Sequence, residues 1–161
     1  MLTQEELKRL LHYNKSTGIF TWRVYRNDQV RPGTQAGSLE TNGYIRICVN
    51  GKYYSAHRLA WLYVYGSYPT GQLDHKDKNK SNNRISNLRL ATTSQNCSNQ
   101  TIRRNNKSGY KGIFPSGNGQ WRAEIRVNGE RHYLGVHSTP QKAHLAYCEA
   151  ATRLLGEFAS F

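Results

Sequence analysis

The sequence predicts an α+β protein built from two modules that are joined by a basic linker. Runs of β-forming residues alternate with Asn-Gly turn signals at 42–43, 50–51 and 128–129. Other segments carry apolar residues at helical spacing, most clearly over 140–155. A polar stretch at 98–107 is basic and poor in apolar residues, as linkers are. We therefore expect one domain over 1–97 and a second over 108–161.

The first module is expected to begin with a short helix. Thr3 and Glu6 have the spacing of a capping box, and leucines follow at helical intervals, so a helix is predicted over 4–13. Residues 18–23 alternate weakly between apolar and polar side chains, which favours a strand.

A hairpin and a buried helix should follow. Residues 44–49 and 52–56 are rich in β formers and flank Asn50-Gly51, which predicts two strands around a tight turn. Residues 57–65 contain no helix breaker and should form a buried helix that ends at Gly66.

The Asn-rich segment that comes next is predicted to be two short strands around a long loop. These strands lie at 73–75 and 88–90, and Thr92 or Thr93 is placed to cap a helix that begins near Ser94.

The second module is predicted to be a three-stranded antiparallel meander and one helix. Gly and Asn residues supply the turns between the strands, and Pro140 suits the first helical position. The strands are expected at 110–114, 121–127 and 131–134, and the helix at 140–155.

Composition narrows the class of partner. Of 161 residues, 23 are Lys or Arg and 10 are Asp or Glu, which gives a formal net charge of +13. Such an excess favours a polyanion such as nucleic acid or an anionic membrane. No run approaches the roughly 18 apolar residues of a membrane span, and the first residues do not have the pattern of a signal peptide. Three widely spaced cysteines favour a reducing, cytoplasmic setting over disulfides or a cysteine zinc site.

The sharpest cluster of reactive residue types is Asp74-His75, followed by Asn87 and Asn96. A carboxylate and an amide oxygen are ligands that suit Mg²⁺, and an imidazole can take a proton from water near neutral pH. A strand–loop–strand–helix order would fold Asn96 back toward Asp74.

The residues from Leu73 to Arg89 (LDHKDKNKSNNRISNLR) resemble the HNH nuclease family, in the branch of phage and intron-encoded homing endonucleases. His57-Arg58-Leu59 is similar to that branch as well. The resemblance implies a ββα-metal fold around one divalent cation, with Mg²⁺ expected and Mn²⁺ as a substitute. It also implies that Asp74 and Asn96 are the metal ligands, that His75 is the general base, and that the amide of Asn87 ties the loop. We interpret His57 itself as a packing or surface histidine.

Residues 108–161 resemble the plant ethylene-response-factor DNA-binding domain. The matching runs are GYKGI at 109–113, WRAEIR at 121–126, YLG at 133–135, AY at 146–147 and EAA at 149–151. The resemblance implies a three-stranded antiparallel sheet that packs on one helix and enters the DNA major groove. The readers that it implies are Lys111, Arg122, Arg126, Arg131 and Tyr133. The first hairpin departs from the plant pattern, so the plant target sequence does not transfer.

Trp121 has two interpretations. Alternation along 121–126 puts Trp121, Ala123 and Ile125 on one face and the arginines on the other, which favours a core role for Trp121 over base reading.

Other basic residues suit contacts with the phosphate backbone, which add affinity without sequence information. These are Arg103 and Arg104 in the linker and Lys76, Arg84 and Arg89 around the predicted metal.

The sequence therefore predicts a metal-dependent endonuclease that acts on double-stranded DNA, as a monomer or weak dimer, with the second module placing the first. One site cuts one strand at a time, so a monomer should nick. Two alternatives remain open: a non-catalytic DNA-binding regulator, and an RNA-binding protein. The second is disfavoured because the major groove of A-form RNA is too narrow for a sheet.

Overall fold

The computed structural model describes residues 1–100, 102 and 106–161. The chain divides into two compact units, Met1–Leu90 and Ala91–Phe161, and each is described here by itself. The division falls upstream of residue 97, where the sequence predicts the end of the first domain. Helices and antiparallel sheets occur together, so the fold class is α+β as predicted. Among the helices of the described residues, none has both the length and the apolar character that a bilayer crossing requires.

The first unit opens with a helix that is shorter than predicted. Helix α1 spans Gln4–Leu10, and the side chain of Thr3 caps it by accepting a hydrogen bond from the Glu6 backbone N–H at 3.2 Å. The predicted helix over 4–13 is wrong at its end, because Leu11–Tyr13 forms strand β1 and pairs antiparallel with β2, Phe20–Trp22. Strand pairing buries both Leu11 and Tyr13 on one side of the ribbon, and this tertiary gain outweighs helix propensity.

The predicted hairpin and second helix are confirmed. Strands β3 (Ser38–Leu39), β4 (Ile45–Val49) and β5 (Lys52–Ser55) form an antiparallel sheet in that order. Asn50 and Gly51 make the β4–β5 turn with φ of +50° and +75°. Helix α2 spans Ala56–Tyr65 and ends at Gly66 in the left-handed conformation.

The core of the first unit lies between these elements. The largest of its fully buried side chains are those of Leu7, Leu11, Phe20, Ile47, Val49 and Leu59. Leu59 and Leu62 on α2 face this core, so the N-terminal turn of α2 is fixed beside the sheet. This turn carries His57.

The Asn-rich segment has the predicted strand–loop–strand–helix order. Strand β6 (Gln72–His75) pairs with β7 (Leu88–Ala91), and a short 3₁₀ helix at Ile85–Asn87 precedes β7. Helix α3 (Thr93–Ser98) follows, with a complete capping box between Thr92 and Gln95. Because the division falls between Leu90 and Ala91, α3 belongs to the second unit.

The second unit contains the predicted three-stranded antiparallel sheet packed on one helix. Strands β8 (Ile113–Pro115), β9 (Trp121–Val127) and β10 (Glu130–His137) are arranged in the order β10-β9-β8. Helix α4 spans Pro140–Leu155, as the sequence predicts, and is capped by the side chain of Thr139.

The inner face of this sheet packs against α4 through small and aromatic side chains. Ala123 and Ile125 of β9 lie in one buried cluster with Ala143 and Tyr147 of α4. Gly112 makes this close packing possible, because a Cβ there would collide with the carbonyl oxygen of Glu124 and with the ring of Tyr147. The opposite face of β9 carries Arg122, Glu124 and Arg126, and helix α3 lies against this strand.

Candidate functional site

Asp74 is a buried carboxylate near the end of β6. It is 4 % exposed, and its Oδ2 accepts hydrogen bonds from Arg89 Nε at 2.9 Å and Nη2 at 2.8 Å. The Arg89 side chain is itself only 11 % exposed. The sequence predicts a metal ligand at Asp74 and a phosphate contact at Arg89, and the structure brings the two together as an ion pair. Each charge is partly desolvated, so each depends on the other for compensation.

His75 follows Asp74 and is equally buried. Its Nε2 lies 3.2 Å from Asn83 Oδ1, which makes Nε2 the donor of this hydrogen bond. Burial lowers the pKa of His75 below its usual value, and the hydrogen bond to Asn83 offsets this only in part. The neutral imidazole is therefore favoured, which is the form that accepts a proton.

Two further rings complete what we call the ring cluster, Tyr44, His57 and His75. The ring centroids of His57 and His75 are 5.3 Å apart with an interplanar angle of 74°. Tyr44 lies 5.1 Å from His57 and 5.9 Å from His75. Burial first, and then the nearby charges of His75 and Arg58, lower the pKa of His57 to about 4. Its buried Nδ1 has no hydrogen-bond partner.

Sequence reasoning missed the contact of His57 with His75. The signal was present, since the run His57-Arg58-Leu59 is part of the resemblance stated above. Eighteen positions separate the two histidines along the chain, and only the packing of α2 beside β6 brings them together.

Asn87 bridges the loop between β6 and β7. Its Oδ1 accepts from the Asp77 backbone N–H at 3.1 Å, and its Nδ2 donates to Asp77 Oδ1 at 2.9 Å and to the Asn82 carbonyl at 2.8 Å. This arrangement corresponds to the loop-tying role that the resemblance implies. Burial acts to raise the pKa of Asp77, but hydrogen bonds from Asn82 and Asn87 outweigh it and hold this pKa below its usual range. Asp77 is therefore a charged acceptor at the centre of the loop.

The loop is also fixed to the core of the first unit. The hydroxyl of Tyr13 donates to the Asn83 carbonyl at 2.6 Å. A Cβ at Gly18 would collide with the backbone at Asn83 and Arg84, so the 14–19 turn packs directly against the loop. Asn83 in turn contacts His75, so the core positions the imidazole through this loop.

Basic side chains surround the loop at the surface. Lys76 and Arg84 are exposed, and Lys76 Nζ donates to the Ser86 carbonyl at 2.9 Å. Lys80 lies over the Tyr44 ring with Nζ 4.8 Å from the centroid. The ring cluster therefore has the ammonium group of Lys80 beside its Tyr44 ring.

Asn96, the other predicted metal ligand, lies in α3, in the second unit, and is half-buried. The predicted site draws Asp74 from one unit and Asn96 from the other, and it stays a prediction. In the part of the chain that the structure describes, no group of three or more His, Cys, Asp or Glu side chains is arranged to hold a metal ion.

The outer face of the C-terminal sheet, which we call the sheet face, carries the other predicted contacts. The register sets Arg126 opposite Arg131, Tyr133 opposite Glu124, and Phe114 opposite Arg122. Tyr133 is 63 % exposed. Glu124 Oε2 lies 3.3 Å from Arg122 Nε and 4.0 Å from Arg131 Nη1, so one carboxylate orders two of the arginines.

The remaining predicted contacts lie elsewhere. Lys111 is half-buried, and its Nζ donates to the Ser98 carbonyl and to Ser160 Oγ rather than extending from the sheet face. Trp121 is partly buried against the α4 side of the sheet, the placement that alternation favours. Arg103 and Arg104 lie outside the described residues.

Comparisons with known proteins found one family, two relatives and one solved structure that are similar to this chain. A family model described as HNH endonuclease matches residues 54–97, which include Asp74, His75, Asn87 and Asn96. An uncharacterized HNH endonuclease of Acanthamoeba polyphaga mimivirus is 36 % identical over 106 residues, 65 % of this chain and 54 % of the relative. Protein 3.8 of Escherichia phage T7 is 31 % identical over 107 residues, 65 % of this chain and 88 % of that protein.

One solved structure is also similar. It describes DNA binding and cleavage by the HNH homing endonuclease I-HmuI, at 30 % identity and a TM-score of 0.44, over 56 % of this chain and 51 % of that one. This chain thus spans about half the length of the mimivirus relative and of I-HmuI. The family model ends at residue 97, and these matches give no support to the resemblance of residues 108–161 to the plant domain.

Proposed function

Since residues 54–97 match the HNH endonuclease family model, we propose that the chain belongs to this family and is a metal-dependent endonuclease that hydrolyses phosphodiester bonds of double-stranded DNA. The observation that carries the proposal is the pair of buried groups at the end of β6. Asp74 and His75 are each 4 % exposed, inside the segment that the family model matches. A buried histidine whose pKa is lowered by burial, as that of His75 is, is typical of sites that do acid–base chemistry.

The donor chemistry fits a hard divalent cation. Asp74 and Asn96 are the residues that would hold it, through a carboxylate and an amide oxygen, and Mg²⁺ or Mn²⁺ suits such ligands. The same carboxylate accepts hydrogen bonds from Arg89 through Oδ2. When bound, the cation would supply Lewis-acid stabilisation of charge on the phosphate.

His75 is proposed as the general base. Its Nε2 donates to Asn83, so the lone pair of the neutral ring is on Nδ1. Nδ1 takes a proton from a water molecule, whose oxygen attacks phosphorus. The bond from phosphorus to the 3′ oxygen breaks, and the leaving oxygen takes up a proton from solvent. One such site cuts one strand, so we propose nicking as the product of the monomer.

We propose that charge and the sheet face place the chain on duplex DNA. Residues 1–90 carry 14 Lys or Arg against 6 Asp or Glu, and residues 91–161 carry 9 against 4, for net charges of +8 and +5. Arg122, Arg126, Arg131 and Tyr133 share one face of β9 and β10, and two strands can enter a major groove. Lys76, Arg84, Arg103 and Arg104 are proposed to contact phosphates. Arg89 is proposed to contribute through Asp74 rather than through a phosphate.

The test is conversion of supercoiled plasmid to nicked circles with Mg²⁺ or Mn²⁺, with EDTA as the metal-free control. The variant H75A should lose cleavage by roughly 10²–10⁴-fold, the usual contribution of a general base. Its binding to duplex in a gel-shift assay should be unchanged. The matched control is H12A, which removes an exposed histidine of the same unit and should cleave normally.

Two results would contradict the proposal. Normal cleavage by H75A would remove His75 from the reaction. Tight duplex binding by the unaltered protein without cleavage in either metal would favour the non-catalytic regulator.

A further inference from the structure

The His57 side chain is held by contacts between aromatic rings, while its Nδ1 makes no hydrogen bond. Its Nδ1 is buried without a partner, which is unfavourable for a polar atom. The ring contacts of this side chain are with Tyr44 at 5.1 Å and with His75 at 5.3 Å. The edge-to-face geometry of the histidine pair is a favourable arrangement of aromatic rings. The ring itself is therefore what His57 contributes at this place.

His75 needs such a contact because a base must present one nitrogen in one orientation. The hydrogen bond of Nε2 to Asn83 fixes one point of the ring, at a rather long 3.2 Å. Rings on two further sides, from His57 and Tyr44, restrict the tilt of the imidazole plane.

We propose that His57 is a positioning residue for His75, whose ring packing holds the imidazole plane so that the nitrogen opposite Asn83 meets the attacking water. The proposal rests on the endonuclease function proposed above. His57 is well placed for the role because it lies on the first turn of α2, and the next turn of that helix is buried in the core through Leu59 and Ala60. The core thus sets the position of His57, and His57 sets that of His75.

The first test is single-turnover cleavage with saturating protein, for the variants H57A and H57F. H57A should lower the rate constant by on the order of 10-fold to 100-fold, as small misplacements of reacting groups do. Its affinity for duplex DNA should stay unchanged. H57F keeps a ring against His75 and should recover most of the rate.

The matched control is W61A. Trp61 is one turn further along α2, and its ring lies against that of Tyr65, with the centroids 4.3 Å apart and the planes tilted by 40°. W61A therefore removes an aromatic ring from the same helix and should leave the rate constant near its normal value. Equal losses of the cleavage rate constant in H57A and W61A would mean that His57 contributes only general packing. A rate constant for H57F as low as that for H57A would mean that the ring is not what matters. Either result overturns the proposal.

The second test does not depend on cleavage. In NMR spectra of the imidazole, the carbon-bound ring protons of His75 should shift and broaden in H57A and stay in place in W61A. Unchanged His75 signals in H57A would overturn the positioning role. If the unaltered protein fails to cleave, the proposed function fails, and these signals alone decide whether His57 orders the His75 ring.

Discussion

The two units use ionisable side chains in opposite ways. In the first unit, Asp74 and His75 are both 4 % exposed and interact with Arg89, Asn83 and His57. On the sheet face of the second unit, the Arg131 side chain is 62 % exposed and that of Arg122 is 42 % exposed. Burial strengthens the electrostatic interactions of a charged or polar group and raises the desolvation cost of leaving that group unpaired. An exposed group interacts only weakly with its neighbours and is available to a binding partner. The difference indicates that the proposed hydrolysis uses buried side chains in one unit and that the proposed DNA contact uses exposed side chains in the other.

The largest effect that tests this comparison is on folding stability. The substitution Arg89→Met removes the guanidinium that is paired with the buried Asp74 carboxylate, and we expect a loss of about 3–5 kcal/mol in the free energy of unfolding. The matched change Arg126→Met removes an exposed arginine and should alter stability by about 0.5 kcal/mol or less. Urea denaturation of each variant measures both values.

The pair Asp74→Asn with Arg89→Met provides the control. Because it removes both charges together, it should be more stable than Arg89→Met alone. Similar losses for Arg89→Met and Arg126→Met would mean that the Asp74–Arg89 pair is not desolvated as described.

A second expected effect is a pH dependence that comes from the ring cluster. His57 has a pKa of about 4 in the folded protein against 6.5 when unfolded, so the unfolded chain binds a proton more readily. The stability that the neutral ring contributes is complete above pH 6.5 and is lost as pH falls from 6.5 toward 4. The loss from this group is up to about 3 kcal/mol.

Stability curves of the unaltered protein and of H57F, measured by urea denaturation between pH 7 and pH 4, isolate this contribution. The gap between the two curves should grow in favour of H57F as pH falls. Parallel curves would show that His57 titrates normally in the folded state.

A third effect concerns the loop. Asn87→Ala removes two donated hydrogen bonds and one accepted bond, and it leaves the Asp77 carboxylate with fewer partners. We expect a loss of about 1–3 kcal/mol in unfolding free energy. Asn79→Ala, at an exposed position in the same loop, is the matched control and should cost less. A smaller loss in Asn87→Ala than in Asn79→Ala would contradict the bridging role of the amide.

Local features of the fold could be predicted from the sequence, and contacts between distant segments could not. Helix α4 was predictable because Thr139-Pro140 and an alanine-rich stripe act within a few residues of each other. The end of α1 was not, since it depends on pairing of Leu11–Tyr13 with β2. The ion pair of Asp74 with Arg89 and the contact of His57 with His75 each join separate elements. Residue identities indicate which side chains could react, and tertiary packing decides which of them come into contact.

The last expected effect is on DNA binding, not on folding, and concerns the sheet face. Arg126→Ala removes an exposed cation that is set opposite Arg131 in the β9–β10 register, and we expect it to weaken duplex binding by about 1–3 kcal/mol. The plasmid cleavage rate at saturating protein should stay unchanged, because the buried groups of the first unit are untouched. Arg153→Ala, which removes a cation from the last turn of α4, is the matched control and should bind normally. Equal binding losses in the two variants would mean that net charge, and not the sheet face, determines binding. A lower cleavage rate in Arg126→Ala would mean that the sheet face also contributes to cleavage.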